Sequence, residues 1–159
     1  MKTVVIFYSL EGNTKYISEV IAKELQADLI ELETKKVFPS SGIKKFIWGG
    51  KSVVLKEQPE LINQNIDLSS YDNIVIGTPI WARTYAAPFN TFVKLYKFTG
   101  KKVSLFACHT GGGADKCFKM FKEELTENQF ISEIDFNDPL KKNKQENLQK
   151  ATQWAKSLL

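Results

Sequence analysis

Three short stretches carry the residues whose types and spacing could do chemistry. Ser9-Leu10-Glu11-Gly12-Asn13-Thr14 offers two hydroxyls, an amide and a glycine between an apolar run, Val4 to Tyr8, and a stretch with helical spacing, Lys15 to Leu25. A strand that hands over to a helix through such a turn leaves backbone N–H groups unpaired at the helix N-terminus. Together with the helix dipole, those donors favour an anion, most often a phosphate. The second stretch, Thr78-Pro79-Ile80-Trp81-Ala82-Arg83-Thr84-Tyr85, brings an aromatic ring and a guanidinium after another apolar run. The third, Cys108-His109-Thr110-Gly111-Gly112-Gly113, supplies backbone donors and the chain's one histidine. A bare phosphate needs only the first stretch; all three together suit a phosphate ester that carries a flat ring.

Apolar patterning supplies the elements that must position them. Val4-Val5-Ile6-Phe7-Tyr8, Ile74-Val75-Ile76-Gly77 and Val103-Ser104-Leu105-Phe106-Ala107 read as strands buried on both faces. Asp28 to Glu33 and Phe130 to Phe136 alternate polar and apolar, the former as a strand nearer the sheet edge. Helices are expected from Lys15 to Leu25, with Ile17, Val20, Ile21 and Leu25 on one face, from Pro88 to Lys97, closed by Gly100, and from about Asp115 to Glu127. A last helix carries Leu148, Ala151, Ala155 and Leu158. Residues 34–70 are the least regular: Pro39-Ser40-Ser41-Gly42 reads as a turn, and Ile43, Phe46, Ile47, Gly50 and Val54 fall at helical spacing. Trp48 and Trp154 read as packing residues. The order describes one doubly wound α/β domain with a five-stranded parallel sheet, whose ligands bind beyond the carboxyl ends of the strands.

The 159 residues suffice for one domain with a proper core. No apolar run has the length of a membrane span and no signal peptide is visible, so a membrane is not expected as a partner; nor is nucleic acid, since the lysines are not interleaved with stacking aromatics across the chain. Cys108 and Cys117 lie nine apart without a C-x-x-C pair, which suits a reducing cytoplasm better than a disulfide or zinc framework. The net charge is +4, and six lysines with no acid fall between Lys35 and Lys56. They could dock an acidic partner or an anionic cofactor, but most read as a solvated face.

Sharper motif readings fail on spacing. Gly50-Lys51-Ser52 imitates the end of a nucleotide-binding P-loop, yet the position five before Gly50 is Lys45. Cys108 is followed at phosphatase spacing by Ala114 rather than arginine, and no aspartate ends the third strand as phosphoacceptor chemistry requires. Cys108 and His109, adjacent at a strand end, are not expected to form a nucleophile–base pair.

Ser9-Leu10-Glu11-Gly12-Asn13-Thr14, Tyr71 to Trp81, and Gly100 to Phe106 followed by glycines together resemble the flavodoxin family, in the right order and spacing. The resemblance implies the strand order 2-1-3-4-5 and FMN as cofactor. It places the FMN phosphate on Ser9, Leu10, Glu11, Gly12, Asn13 and Thr14. It places the ring between Thr78, Pro79, Ile80, Trp81, Ala82 and Arg83 on one side and Cys108, His109, Thr110, Gly111, Gly112 and Gly113 on the other, with Trp81 as the stacking partner. It implies a monomer or homodimer that passes electrons to a redox partner protein or a small acceptor, with NAD(P)H as a possible donor. Two departures bear on this role: the chain is basic where electron-carrying flavodoxins are acidic, and no aromatic occupies the last loop. An FMN-dependent NAD(P)H:quinone-type reductase and a cofactor-free interaction module of the same fold are the alternatives.

Overall fold

The apolar run near the N-terminus forms β1 (Thr3–Phe7), central in a parallel sheet because it can bury both of its faces. This computed structural model describes all residues except Ser41 and Gln64, and leaves out the side chains of Lys45, Phe46, Gly49, Ser52, Val53 and Val54. The turn expected at 39–42 and the inward helical positions 46 and 54 therefore lie in part outside the described residues.

The chain continues through α1 (Asn13–Leu25), β2 (Asp28–Glu31), α2 (Gly42–Val54), β3 (Asn73–Trp81), β4 (Thr84–Tyr85), α3 (Pro88–Leu95), β5 (Lys102–His109), α4 (Ala114–Glu124), β6 (Gln129–Asn137) and α5 (Lys144–Lys156). The parallel path runs β2-β1-β3-β5-β6, with β4 off it and paired antiparallel to β3. The five parallel strands thus keep the expected 2-1-3-4-5 order, and the short β4 makes a sixth. From β1 the chain builds one way to β2 and then the other way through β3, so the order reverses between β1 and β3, where α/β sheets open a crevice.

Strand alternation sends consecutive residues to opposite layers. Val5, Val75 and Phe106 meet Ile17 and Ile21 of α1 and Trp154 of α5. Val4, Ile6, Ile74, Ile76 and Leu105 meet Phe89 and Phe92 of α3 and Phe121 of α4. β2 is the edge strand, as its alternation suggests. Tyr71, Asp28 and Lys2 hold its start: the Tyr71 hydroxyl donates to Asp28 Oδ2 at 2.7 Å, and Lys2 Nζ lies 3.2 Å from the same oxygen.

Several boundaries differ from the sequence reading, among them the early ends of β2 at Glu31 and of α4 at Glu124. Helix α1 starts two residues early, at Asn13. Helix α3 stops at Leu95, and Gly100 instead turns the chain into β5 with φ +69°. Strand β3 does not end at Gly77 but runs on to Trp81. At Gly77 an added Cβ would lie 2.1 Å from Cζ of Phe106, its register partner on β5. The glycine is there so that a fully buried ring can lie across the strand, not to end it.

Two outcomes follow. Gly77→Ala is expected to cost about 1–3 kcal/mol by overpacking against Phe106, read as a lower urea midpoint with unchanged slope. The Tyr71 hydroxyl and the Lys2 ammonium hold the Asp28 carboxyl below its usual value. A depressed carboxylate contributes stability that is fully present above about pH 4 and is lost as pH falls through the depressed value. Asp28→Asn is therefore expected to narrow the gap from wild type as a stability titration goes acid; a constant gap at every pH argues against the pairing.

Candidate functional site

The chain leaves β1 at its carboxyl end and must start α1 within a few residues. Gly12 makes this possible by taking φ +92° as the helix N-cap, a left-handed conformation that costs other residues about 1–2 kcal/mol. Ser9 Oγ accepts from the N–H groups of both Gly12 and Lys15, each at 3.2 Å. The N–H groups of Asn13 and Thr14 find no acceptor among the described residues. Thr14 Oγ1 is fully buried and has no hydrogen-bond partner among the described residues, though it lies near enough to the Cys108 thiol to offset part of the effect of burial on it. An orphaned hydroxyl and two orphaned amides at a helix N-terminus describe a site for an anion.

Lys15, the basic residue of the turn, is engaged elsewhere, its Nζ lying 2.9 Å from Glu31 Oε2. The Asn13 side chain is also committed: its Nδ2 donates to Asp138 Oδ1 and its Oδ1 accepts from the Leu140 N–H, both at 3.0 Å. Asp138 in turn donates its N–H to the His109 carbonyl at 2.8 Å. Asn13 thus staples the β6–α5 connection to the turn, and a Cβ on Gly12 would meet Leu140 Cδ1 at 3.3 Å. This support by Asp138 and Leu140 is missed by sequence reasoning; the Asn137-Asp138-Pro139 turn is its only local mark.

Beside the cradle lies a cavity of about 240 Å³. Of the expected site residues, Ser9, Leu10, Glu11, Asn13, Thr14, Pro79, Ile80, Trp81, Ala82, Cys108, His109 and Thr110 line it. Gly50 of α2 lines it as well, a residue the sequence reading used only as part of a helical pattern. Gly12, Thr78, Arg83, Gly111, Gly112 and Gly113 are not in its lining. Thr78 is fully buried, its Oγ1 accepting from the Ala86 N–H at 3.0 Å and donating to the Pro79 carbonyl at 2.9 Å, so it shapes the wall from behind.

β3 and β4 form a hairpin whose two central residues, Ala82 (φ 46°) and Arg83 (φ 68°), are both left-handed. That turn suits the twist of the strands but prefers asparagine and glycine, so an Ala-Arg pair here is strained. Thr84 Oγ1, donating to the Trp81 carbonyl at 2.9 Å, helps to hold it. The tip leans on the glycine loop: a Cβ on Gly113 would lie 3.1 Å from Arg83 Cα and Cγ. Glycine at 113 is what allows the two loops to approach. Trp81 is buried against Tyr8, edge-on at 5.8 Å, and Phe38, at 5.1 Å. It is both a core residue and a wall of the cavity, and among the described residues no phenyl or indole ring stands opposite it.

His109 is a strut for the third loop. Gly112 N–H donates to its Nδ1 at 2.8 Å, which leaves Nε2 to carry the proton and donate to Asp135 at 2.7 Å. Burial pushes the Cys108 thiol up to about 12, and neither nitrogen of His109 bonds to it, so the pair is no nucleophile–base couple. Cys117 is buried with its thiol also pushed up, inert as its place on a core-facing helix suggests.

Comparison with known proteins agrees with this geometry. Among solved structures, a flavoprotein in complex with FMN from Lactobacillus acidophilus is 26% identical, with a TM-score of 0.74 over 89% of this chain and 97% of that one. A putative flavoprotein from Bacteroides uniformis is 24% identical, with a TM-score of 0.80 over 98% of this chain and 97% of that one. The general stress protein 14 of Treponema denticola, in complex with FMN, shares 12% identity and a TM-score of 0.62 over the full length of both chains. No curated protein matches in sequence. The flavodoxin family model matches residues 2–154, nearly the whole chain: the chain belongs to the flavodoxin family.

Proposed function

We propose that this chain binds FMN and transfers electrons to a partner protein or a small acceptor. The observation that carries the reading is the cradle, whose fully buried Thr14 hydroxyl and two N–H groups lack partners at the N-terminus of α1. A phosphate dianion supplies acceptors for all three, and burial makes such charge-assisted bonds strong. The residues fit the group, since the apolar cavity bounded by Ile80, Trp81 and Cys108 adjoins the cradle and suits a flat ring. When bound, FMN supplies the redox chemistry. The chain's own residues would bind and orient it: Ser9 and Gly12 shape the cradle, Trp81 and Ile80 would exclude water from the ring, and His109 and Thr110 line the same cavity. The FMN-bound relative from Lactobacillus acidophilus supports this reading.

Two features favour a second reading, an FMN-dependent reductase that uses NAD(P)H and a quinone-type acceptor. Among the described residues no second phenyl or indole ring lines the cavity opposite Trp81, and the exposed Arg83 sits at the hairpin tip beside the glycine loop. An uncovered ring face admits a second planar substrate, and a guanidinium favours an anionic one. The intact cradle argues against a module that has lost its cofactor. Two buried free cysteines suit a reducing cytoplasm.

Thr14→Val tests the cradle. It removes an unsatisfied buried hydroxyl, so the flavin-free chain is expected to keep or gain stability. The variant is expected to bind FMN about 10- to 100-fold more weakly, the worth of one bond to a charged group, and to bind riboflavin, which has no phosphate, as wild type does. Equal losses for both flavins would place the phosphate elsewhere. Role is read by turnover: the carrier reading expects no steady NADPH oxidation by the FMN-loaded chain with added quinone unless a separate reductase is present, and sustained oxidation without one selects the reductase.

A further inference from the structure

The chain's excess positive charge lies in one segment. Residues 35–56 hold six lysines and no acid, whereas the other 16 basic residues face all 18 acids. Spacing suggests an inward apolar face for α2, yet Ile43 is 78% and Ile47 61% exposed, and Leu55, just past the helix, is 64% exposed. Lys44 and Lys51 are exposed among them. Trp48, expected to pack inside, is instead 36% exposed, with Lys36 Nζ 5.0 Å and Lys51 Nζ 5.2 Å from its ring. Lys35 and Lys36 have partners in Glu60 and Glu57 across the segment's base.

We propose that this face of α2 docks on an anionic membrane surface. A solvated helix face carries charges without large aliphatic side chains; this one interleaves both. A second copy meeting it symmetrically would set lysines against lysines. An acidic protein would supply the opposite charge, but protein interfaces favour arginine over lysine at their centres, and this segment has no arginine. A lipid surface answers each feature. Lysine stems let their heads reach the lipid phosphates, a tryptophan flanked by lysines suits the headgroup layer, and aliphatic side chains enter the acyl boundary. No helix among the described residues is long and apolar enough to cross a membrane, so the contact is one of lying on the surface. The expectation of no membrane partner rested on the absence of a span-length apolar run and of a signal peptide, and neither bears on a helix that lies on a surface.

Gly50 of the same helix lines the cavity, so docking by α2 brings the cavity to the bilayer edge, where an acceptor dissolved in lipid would arrive. Only that last step rests on the proposed function; the docking does not.

The test is flotation with vesicles of phosphatidylcholine and phosphatidylglycerol in equal parts, against phosphatidylcholine alone, for the FMN-loaded and the flavin-free chain. Both forms are expected to float with the anionic vesicles at low salt, with a blue shift of tryptophan emission that Trp48→Phe removes. Neutral lipid, high salt or the Lys44→Glu/Lys51→Glu variant is expected to weaken binding about 10-fold or more. Ile43→Glu/Ile47→Glu is expected to abolish the blue shift while keeping the circular dichroism of the fold. Absence of flotation at low salt, equal binding to neutral vesicles, or binding of soluble polyglutamate as tight as that of anionic vesicles without a blue shift would overturn the proposal. Failure to bind FMN leaves flotation intact, so the two readings fail separately.

Discussion

The structure depends on one unmet demand: backbone donors at the N-terminus of α1 that the protein does not itself satisfy. Five residues, 8–12, take the chain from a buried strand into a helix through the left-handed Gly12, and the N–H groups of Asn13 and Thr14 find no acceptor among the described residues. Ser9 takes two donors and no more. The buried Thr14 hydroxyl adds a third group without a partner. Such groups cost free energy in the absence of an anion, and they persist because the surrounding fold over-determines them. The strand order fixes where this happens, at the reversal between β1 and β3, and there the neighbouring strand ends supply a cavity.

Rigid supports around the cavity explain why its walls can hold a ring. The Asn13 side chain ties the cradle to Asp138 and Leu140, and Asp138 ties that connection to the end of β5. His109 clamps its loop through Gly112 and β6 through Asp135. On the other side the strained Ala82–Arg83 tip rests on Gly113. Trp81 owes its position to Tyr8 and Phe38, so its place in the wall and its place in the core are one packing problem.

Legibility followed the range of the interactions. The cradle was legible because its glycine, hydroxyls and flanking periodicities all act within a few residues. Gly77 was misread as a strand end because a glycine inside an apolar run looks like punctuation until Phe106, 29 positions later, is seen to lie across it. Residues 78–81 read as a loop for the same reason, and the hairpin beyond them carries none of the asparagine or glycine that its turn prefers. In α2, spacing identified a helix but not its outward side, because which face is buried depends on what the sheet presents to it.

By itself the sequence determined the α/β class, the parallel sheet and the anion cradle, because each is written in local patterns of apolar period, turn residues and helix start. Tertiary structure alone decided which groups remain unsatisfied, since Asn13, His109 and Thr78 look like free donors in sequence and are occupied by Asp138, Asp135 and the Pro79 carbonyl in space. It also decided that Gly50 reaches the cavity and that Ile43 and Ile47 face out. The physical reason is the same in each case: a hydrogen bond or a buried face needs a partner, and these partners come from segments that only folding brings near.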